Sequence, residues 1–296
     1  MTLEEAVLPA TSALFFGSQY VPQKRLGEVN TGHYNLSMAI GIVITSAIIF
    51  SIIFSLEMPS LNWIPMIVAF LSGIIWGIGN RLSISGVNRI GMSKATIMFN
   101  LTSVFSFIFG ILFYAEPVGI YKLIGMPIII CGAITVAAIT GEEKKELNWA
   151  GIMIAVVASF IFSIFNTFCN ESMSSHINPT VPYYVLAFLL SIGSLVANLL
   201  LNCTPKKVKE WLGEKPRFHY WAISGGVIWA SGIFISLYAL GTYGMSFTVP
   251  IIQTVLLIVS AIWGILYFKE IHRGKGLILF LFGAGISIAG IIVFSL

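Results

Sequence analysis

The 296-residue sequence contains no aspartate, and only 9% of its residues are charged. A soluble chain of this length needs far more charge on its surface. A water-soluble enzyme is therefore excluded, and the short connections leave no room for a soluble catalytic module. All 12 glutamates sit in loops or at the ends of apolar runs, and so do the four histidines. No carboxylate or imidazole is then placed near a membrane midplane. That argues against an intramembrane metal centre or general base, and against a central carboxylate carrying a coupling proton. Cysteine is scarce too. Cys131, Cys169 and Cys203 fit no metal or disulfide spacing, and they read as buried packing residues. No basic segment precedes the first apolar run, so no cleavable signal is read. No cofactor, metal or nucleic-acid partner is expected.

What fills the sequence instead is apolar. Residues of the hydrophobic class make up 57%, in runs of about 20 residues, the length of helix that crosses a bilayer. The runs are continuous and rich in Leu, Ile, Ala and Gly, without the alternation of a β-barrel. Helices then satisfy the backbone in lipid. Spans are predicted near 5–24, 33–55, 62–87, 92–115, 118–140, 148–170, 179–202, 218–240, 245–268 and 273–295. The predicted fold is an all-α membrane protein of ten transmembrane helices.

The second half repeats the first. Residues 73–93 read GIIWGIGNRLSISGVNRIGMS, and residues 226–246 read GVIWASGIFISLYALGTYGMS. At an offset of 153, Gly73/Gly226, Trp76/Trp229, Gly79/Gly232, Ser83/Ser236, Gly91/Gly244, Met92/Met245 and Ser93/Ser246 are identical. The pattern aromatic-Gly-Ile-Leu-aromatic-aromatic-x-Glu recurs at 109–116 and 263–270. A duplicated unit with an odd number of spans inserts upside down relative to its twin, as in transporters whose site lies between inverted repeats. The expected organisation is a five-helix repeat at 1–140, a cytoplasmic linker at 141–147 and an inverted five-helix repeat at 148–296.

Charge sets the predicted orientation. Of 16 Lys and Arg, 14 fall in alternate connections, Lys122 lies opposite and Arg81 lies inside a span. The positive-inside bias makes the richer face cytoplasmic and places both termini outside the cytoplasm. The longest loop, 204–219, is expected to hold a short interfacial helix near Val208–Leu212.

The polar groups predicted to lie deep are neutral. Gln19, Asn80, Asn100, Asn166 and Gln253 are candidate substrate-binding amides. Asn100 and Gln253 share one repeat position. Gln19 and Asn166 share another when the first spans align on Ser12/Ser159. Buried amides need partners, either other helices or a wet cavity. Trp76 and Trp229 form a matched mid-span pair, and Trp76 shares a helix face with Asn80 at i, i+4. Amides beside aromatic planes suit a neutral polyhydroxyl ligand, and packing tryptophans are the alternative. Arg81 is expected to snorkel, cap carbonyls, pair with an end glutamate or contact an anionic part of a substrate. Glu116 and Glu270 end the fourth span of each repeat and are candidate gating groups, paired with Lys122, Lys275 or a helix N-terminus.

ALFFGSQYVPQKR (13–25) and FLSGIIWGIGNRLSISGVNRIGMSKA (70–95) resemble the glucose/ribose-uptake branch of the drug/metabolite transporter superfamily. Glu116-Pro117 and Glu270 look like the glutamate that closes the fourth span of each repeat there. The resemblance implies a five-plus-five inverted fold, a central cavity lined by spans 1, 3, 4, 6, 8 and 9, and sugar uptake, with proton coupling presumed. The expected activity is alternating-access import of a sugar or similar small neutral polar metabolite across the plasma membrane. Its expected partners are that small-molecule substrate, the lipid bilayer and, if transport is coupled, a proton or ion. The alternatives are an exporter or exchanger of amino acids, drugs or phosphorylated metabolites, and a non-transporting membrane protein.

Overall fold

A computed structural model describes residues 3–55, 62–114, 119–137, 148–173, 181–243, 245–270 and 274–295. Among these the regular structure is helical. The elements are α1 (Leu3–Ser18), α2 (Val21–Leu26), α3 (Thr31–Phe54), α4 (Trp63–Ile90), α5 (Met92–Phe99), α6 (Leu101–Tyr114) and α7 (Ile120–Ala137). The second half adds α8 (Trp149–Met173), α9 (Tyr183–Leu201), α10 (Pro205–Leu212), α11 (Pro216–Tyr243), α12 (Met245–Ile262) and α13 (Lys275–Ser295). A π-helical turn, Trp263–Tyr267, extends α12.

Among the described residues, seven helical stretches are long and apolar enough to cross a membrane: α3, α4, α5 with α6, α8, α9, α11 and α13. Shorter apolar helices cover Ile120–Val136 and Ile251–Tyr267, and α1 has 16 residues. These three stand where the first, fifth and ninth spans are expected. The linker 141–147 lies outside the described residues. The expected interfacial helix is present as α10, and its Trp211 Nε1 donates to Ser37 Oγ on α3 at 2.8 Å. Of the three cysteines only Cys169 is buried. Cys131 and Cys203 are exposed, contrary to the packing expectation, because each stands on an outer helix face or helix end.

Local signals explain several boundaries. Asn30 Oδ1 accepts from the Gly32 and His33 amides at 3.0 and 3.2 Å and caps α3. Asn62 Oδ1 caps α4 through Ile64 N at 3.2 Å. Gly91, at φ 83°, takes the left-handed conformation that ends α4 and turns the chain into α5.

Packing joins the two halves of the chain in matched pairs. α4 packs on α8 and α9, while α11 packs on α1 and α3; α1 packs on α12, while α6 packs on α8; α3 lies on α9, and α7 on α13. Exchanging the halves returns the same set. A Cβ on Gly73 of α4 would strike the Leu190 carbonyl of α9, and one on Gly193 the Phe70 carbonyl. At the matching crossing, Gly226 of α11 abuts the Met38 carbonyl of α3, and Gly41 abuts that of Ile223. Small residues let these backbones touch, and in lipid such close packing carries helix association. Repeat-equivalent helices also run antiparallel. Phe50 of α3 stacks on Phe188 of α9 at 4.8 Å, whereas Gly32 at the other end of α3 lies beside Asn202 after α9. In α7 and α13, Gly125 lies against Phe294 and Gly132 against Gly283.

Candidate functional site

α1 stops at Ser18, and the chain turns through Gln19 and Tyr20 before Pro22 helps start α2. This break puts the Gln19 side chain at the edge of a cavity of about 130 Å³ between the halves. Phe16, Gln19 and Tyr20 line it from α1 and the turn, Trp76 from α4, and Phe99 and Thr102 from either side of the α5–α6 junction. α8 contributes Phe162, Phe165, Asn166 and Cys169; α11 contributes Trp229, Ile233, Ser236, Leu237 and Leu240; α12 contributes Val249, Ile252, Gln253 and Leu256. No charged side chain lines it among the described residues.

The matched tryptophans meet there. The Trp76 and Trp229 ring centroids are 4.0 Å apart at an interplanar angle of 37°. Both rings are almost wholly buried, and Phe16 lies 6.2 Å from Trp229. Gln19 Oε1 is a buried acceptor with no hydrogen-bond partner among the described residues. Buried polar groups are nearly always paired, so an orphan at a cavity wall suits a ligand hydroxyl.

The structure brings Gln19, Trp76, Asn166, Trp229 and Gln253 together and keeps two expected amides away. Asn80 donates to Asn35 Oδ1 at 2.7 Å and accepts from Ser83 Oγ at 3.1 Å, in a buried polar knot between α3 and α4. Four residues advance a helix by about 400°, so Asn80 is rotated roughly 40° from Trp76, and that rotation turns it onto Asn35. Asn100 ends α5, is fully buried, and does not line the cavity; neither Oδ1 nor Nδ2 has a partner among the described residues. Arg81 also stays out, its guanidinium lying by Gly32, at the start of α3, which also abuts Asn202. Glu116 lies outside the described residues.

Glu270 forms a clasp at one end of the bundle. α5 has no side-chain cap of its own. Glu270 supplies one, its Oε1 accepting from Met92 N and its Oε2 from Ser93 N, each at 2.8 Å. Oε1 also meets Lys24 Nζ of α2 at 2.9 Å. A helix N-terminus and an ammonium both favour the carboxylate. Burial opposes ionisation, but Lys24 and the bonds from Ser93 and Met92 outweigh it, so the carboxyl titrates below the ordinary glutamate range. Glu270 thus meets a helix N-terminus, and its ammonium partner is Lys24 rather than Lys275. Beside the clasp, Tyr20 Oη donates to Ser83 Oγ at 3.0 Å, and Gln23 Nε2 donates to the Ile84 carbonyl at 2.9 Å. Tyr20 is among the polar residues read as deep in the first span, whereas Gln23 and Lys24 are not read from sequence as site residues. Their positions directly after Gln19, in the segment 13–25, were the available signal.

An uncharged cavity walled by paired tryptophans, set between membrane-length helices of the two chain halves, is the architecture of a membrane transporter. Residues 5–138, a little under half of the chain, match the EamA-like transporter family, and the apolar helices mark a multi-pass membrane protein. It is similar to the glucose uptake protein GlcU of Bacillus subtilis (strain 168), at 26% identity over 98% of this chain and 96% of that one. A putative sugar uptake protein of Bacillus cereus is 23% identical over 92% of this chain and 93% of its own length. A protein of known crystal structure superposes with TM-score 0.67 at 12% identity, covering 99% of this chain and 98% of that one, which establishes a shared fold.

Proposed function

We propose that the chain is a five-plus-five inverted-repeat carrier that imports a sugar or similar small neutral polar metabolite by alternating access. Its halves are 1–140 and 148–296, and it lies in the plasma membrane with both termini outside the cytoplasm. The observation that carries the reading is the unpaired Gln19 Oε1 at the wall of the Trp76/Trp229 cavity. A sugar hydroxyl donates to that acceptor, Asn166 and Gln253 offer further amides, and the indole rings cover the apolar C–H face. The antiparallel equivalent helices and the exchangeable packing pairs support the inverted repeat. The names of the similar proteins support sugar uptake. The uncharged lining favours a neutral substrate over a phosphorylated one, which would require cations. Asn80 acts as an interhelical tie, and Arg81 as a cytoplasmic-end cation. Glu270 gates the cytoplasmic end, where the charge bias places Lys24.

The test is monosaccharide uptake into proteoliposomes by wild type and Gln19→Leu. Saturable uptake of glucose or another monosaccharide is expected, with at least a tenfold loss in the variant, which corresponds to about 1.4 kcal/mol. Absence of uptake across a panel of monosaccharides, or full uptake by Gln19→Leu, contradicts the reading.

A further inference from the structure

We infer that Asn100 is a latent substrate contact, sealed in this conformation and exposed when the carrier faces the cytoplasm, where it takes the part Gln253 plays in the present cavity. This rests on the alternating-access reading above.

Three repeat pairs show the asymmetry. Leu240, Val249 and Gln253 line the cavity and are each partly exposed. Their equivalents at the offset of 153 are Val87, Thr96 and Asn100, all with relative exposure of 1% or less. At these three positions the cavity follows the second repeat and the first repeat's counterparts are closed, although Phe99 and Thr102 of the first repeat also line it. In an inverted repeat the two versions serve opposite membrane faces and open in turn.

Asn100 is the residue that a permanently closed path does not explain. Its amide is fully buried, and neither polar atom has a partner among the described residues. A buried amide left unpaired is a standing cost, which a leucine would avoid. Its backbone also tightens: Asn100 N bonds to the Ile97 carbonyl three residues back at 3.2 Å, with φ −63° and ψ −20°, where α5 passes into α6. Such a mid-helix tightening often marks a functional hinge. The closed path is held by contacts that rigid movement can part: Tyr20 to Ser83, Gln23 to the Ile84 carbonyl, and the Glu270 clasp. Once these part, Asn100 can donate to and accept from the hydroxyls of a neutral polar substrate before release.

The test uses the full chain with Cys131, Cys169 and Cys203 replaced by alanine, and a membrane-impermeant maleimide applied to oriented vesicles. Gln253→Cys is expected to label from the extracytoplasmic face. Asn100→Cys is expected to resist labelling from that face and to label from the cytoplasmic face when Glu270→Gln weakens the clasp. Labelling of Asn100→Cys from the extracytoplasmic face, or its silence from the cytoplasmic face in the Glu270→Gln background, overturns the inference. Labelling needs no substrate, so failure of sugar uptake would sink the substrate assignment and leave this readout standing. As a second measure, Asn100→Leu is expected to melt at or above wild type while losing at least tenfold in uptake. Wild-type uptake by Asn100→Leu overturns the inference.

Discussion

Gln253 and Asn100 stand at one repeat position, yet Gln253 borders a cavity and Asn100 is sealed without a partner among the described residues. The helices that carry them pack in matched pairs, although the chain tightens at Asn100 and α12 runs on through Gln253. The larger difference lies in what leans on each side. Near Asn100, the turn after α1 and the short α2 supply Tyr20, Gln23 and Lys24, which reach Ser83, the Ile84 carbonyl and Glu270. In the other half α8 runs unbroken through the matching stretch. With Ser12 aligned to Ser159, Tyr20 matches Thr167, whose Oγ1 donates back to the Ser163 carbonyl of its own helix at 2.9 Å. Lys24 matches Glu171. A symmetric frame thus carries asymmetric latches, which on the proposed alternating-access reading decide which path is open.

The largest effect should come from breaking what the two regions share. Gly73→Leu or Gly226→Leu drives a side chain into a facing carbonyl, and overpacking of this kind costs about 3 kcal/mol. Loss of a monodisperse peak in detergent chromatography is expected for both, with a similar drop in melting temperature. A large drop in only one would show that the two crossings are not equivalent.

Glu270→Gln should act on one region alone. It removes the Lys24 pair and weakens two amide bonds, a loss of about 1–3 kcal/mol. The melting temperature is expected to fall, and Gln253→Cys labelling from outside to decline. Acid should mimic it. The carboxyl is held below its ordinary range, so its contribution is complete above that range and is lost as pH falls through the lowered value. The charged groups facing it are Lys24 on α2 and Lys94 on α5. The wild-type melting temperature should therefore drop more steeply in acid than that of Glu270→Gln, and parallel pH profiles would contradict the clasp. The smallest effect is expected from Tyr20→Phe, which removes one hydrogen bond to Ser83, about 0.5–1.5 kcal/mol. It should shift labelling in the same direction as Glu270→Gln and to a lesser degree.

The sequence made the paired parts legible. Trp76/Trp229 and Gly73/Gly226 stood out because identity across the repeat reports a shared environment. Gln19, Asn166 and Gln253 stood out because deep amides in apolar runs require partners. Asn80 was misplaced because i, i+4 proximity leaves a rotation, which a neighbour such as Asn35 exploits. Asn100 was legible as polar and deep, but whether its path stands open depends on latches contributed by other helices. The Lys24–Glu270 pair spans nearly the whole chain, and no local pattern joins residues so distant.

The most direct test is fluorescence from the Trp76/Trp229 pair during substrate binding. The other five of the seven tryptophans are replaced by phenylalanine, and the purified, transport-competent protein is titrated with a transported monosaccharide. A saturable change in emission, abolished by Gln19→Leu, is predicted. Undiminished transport with no change at the paired indoles would contradict a binding site between the halves.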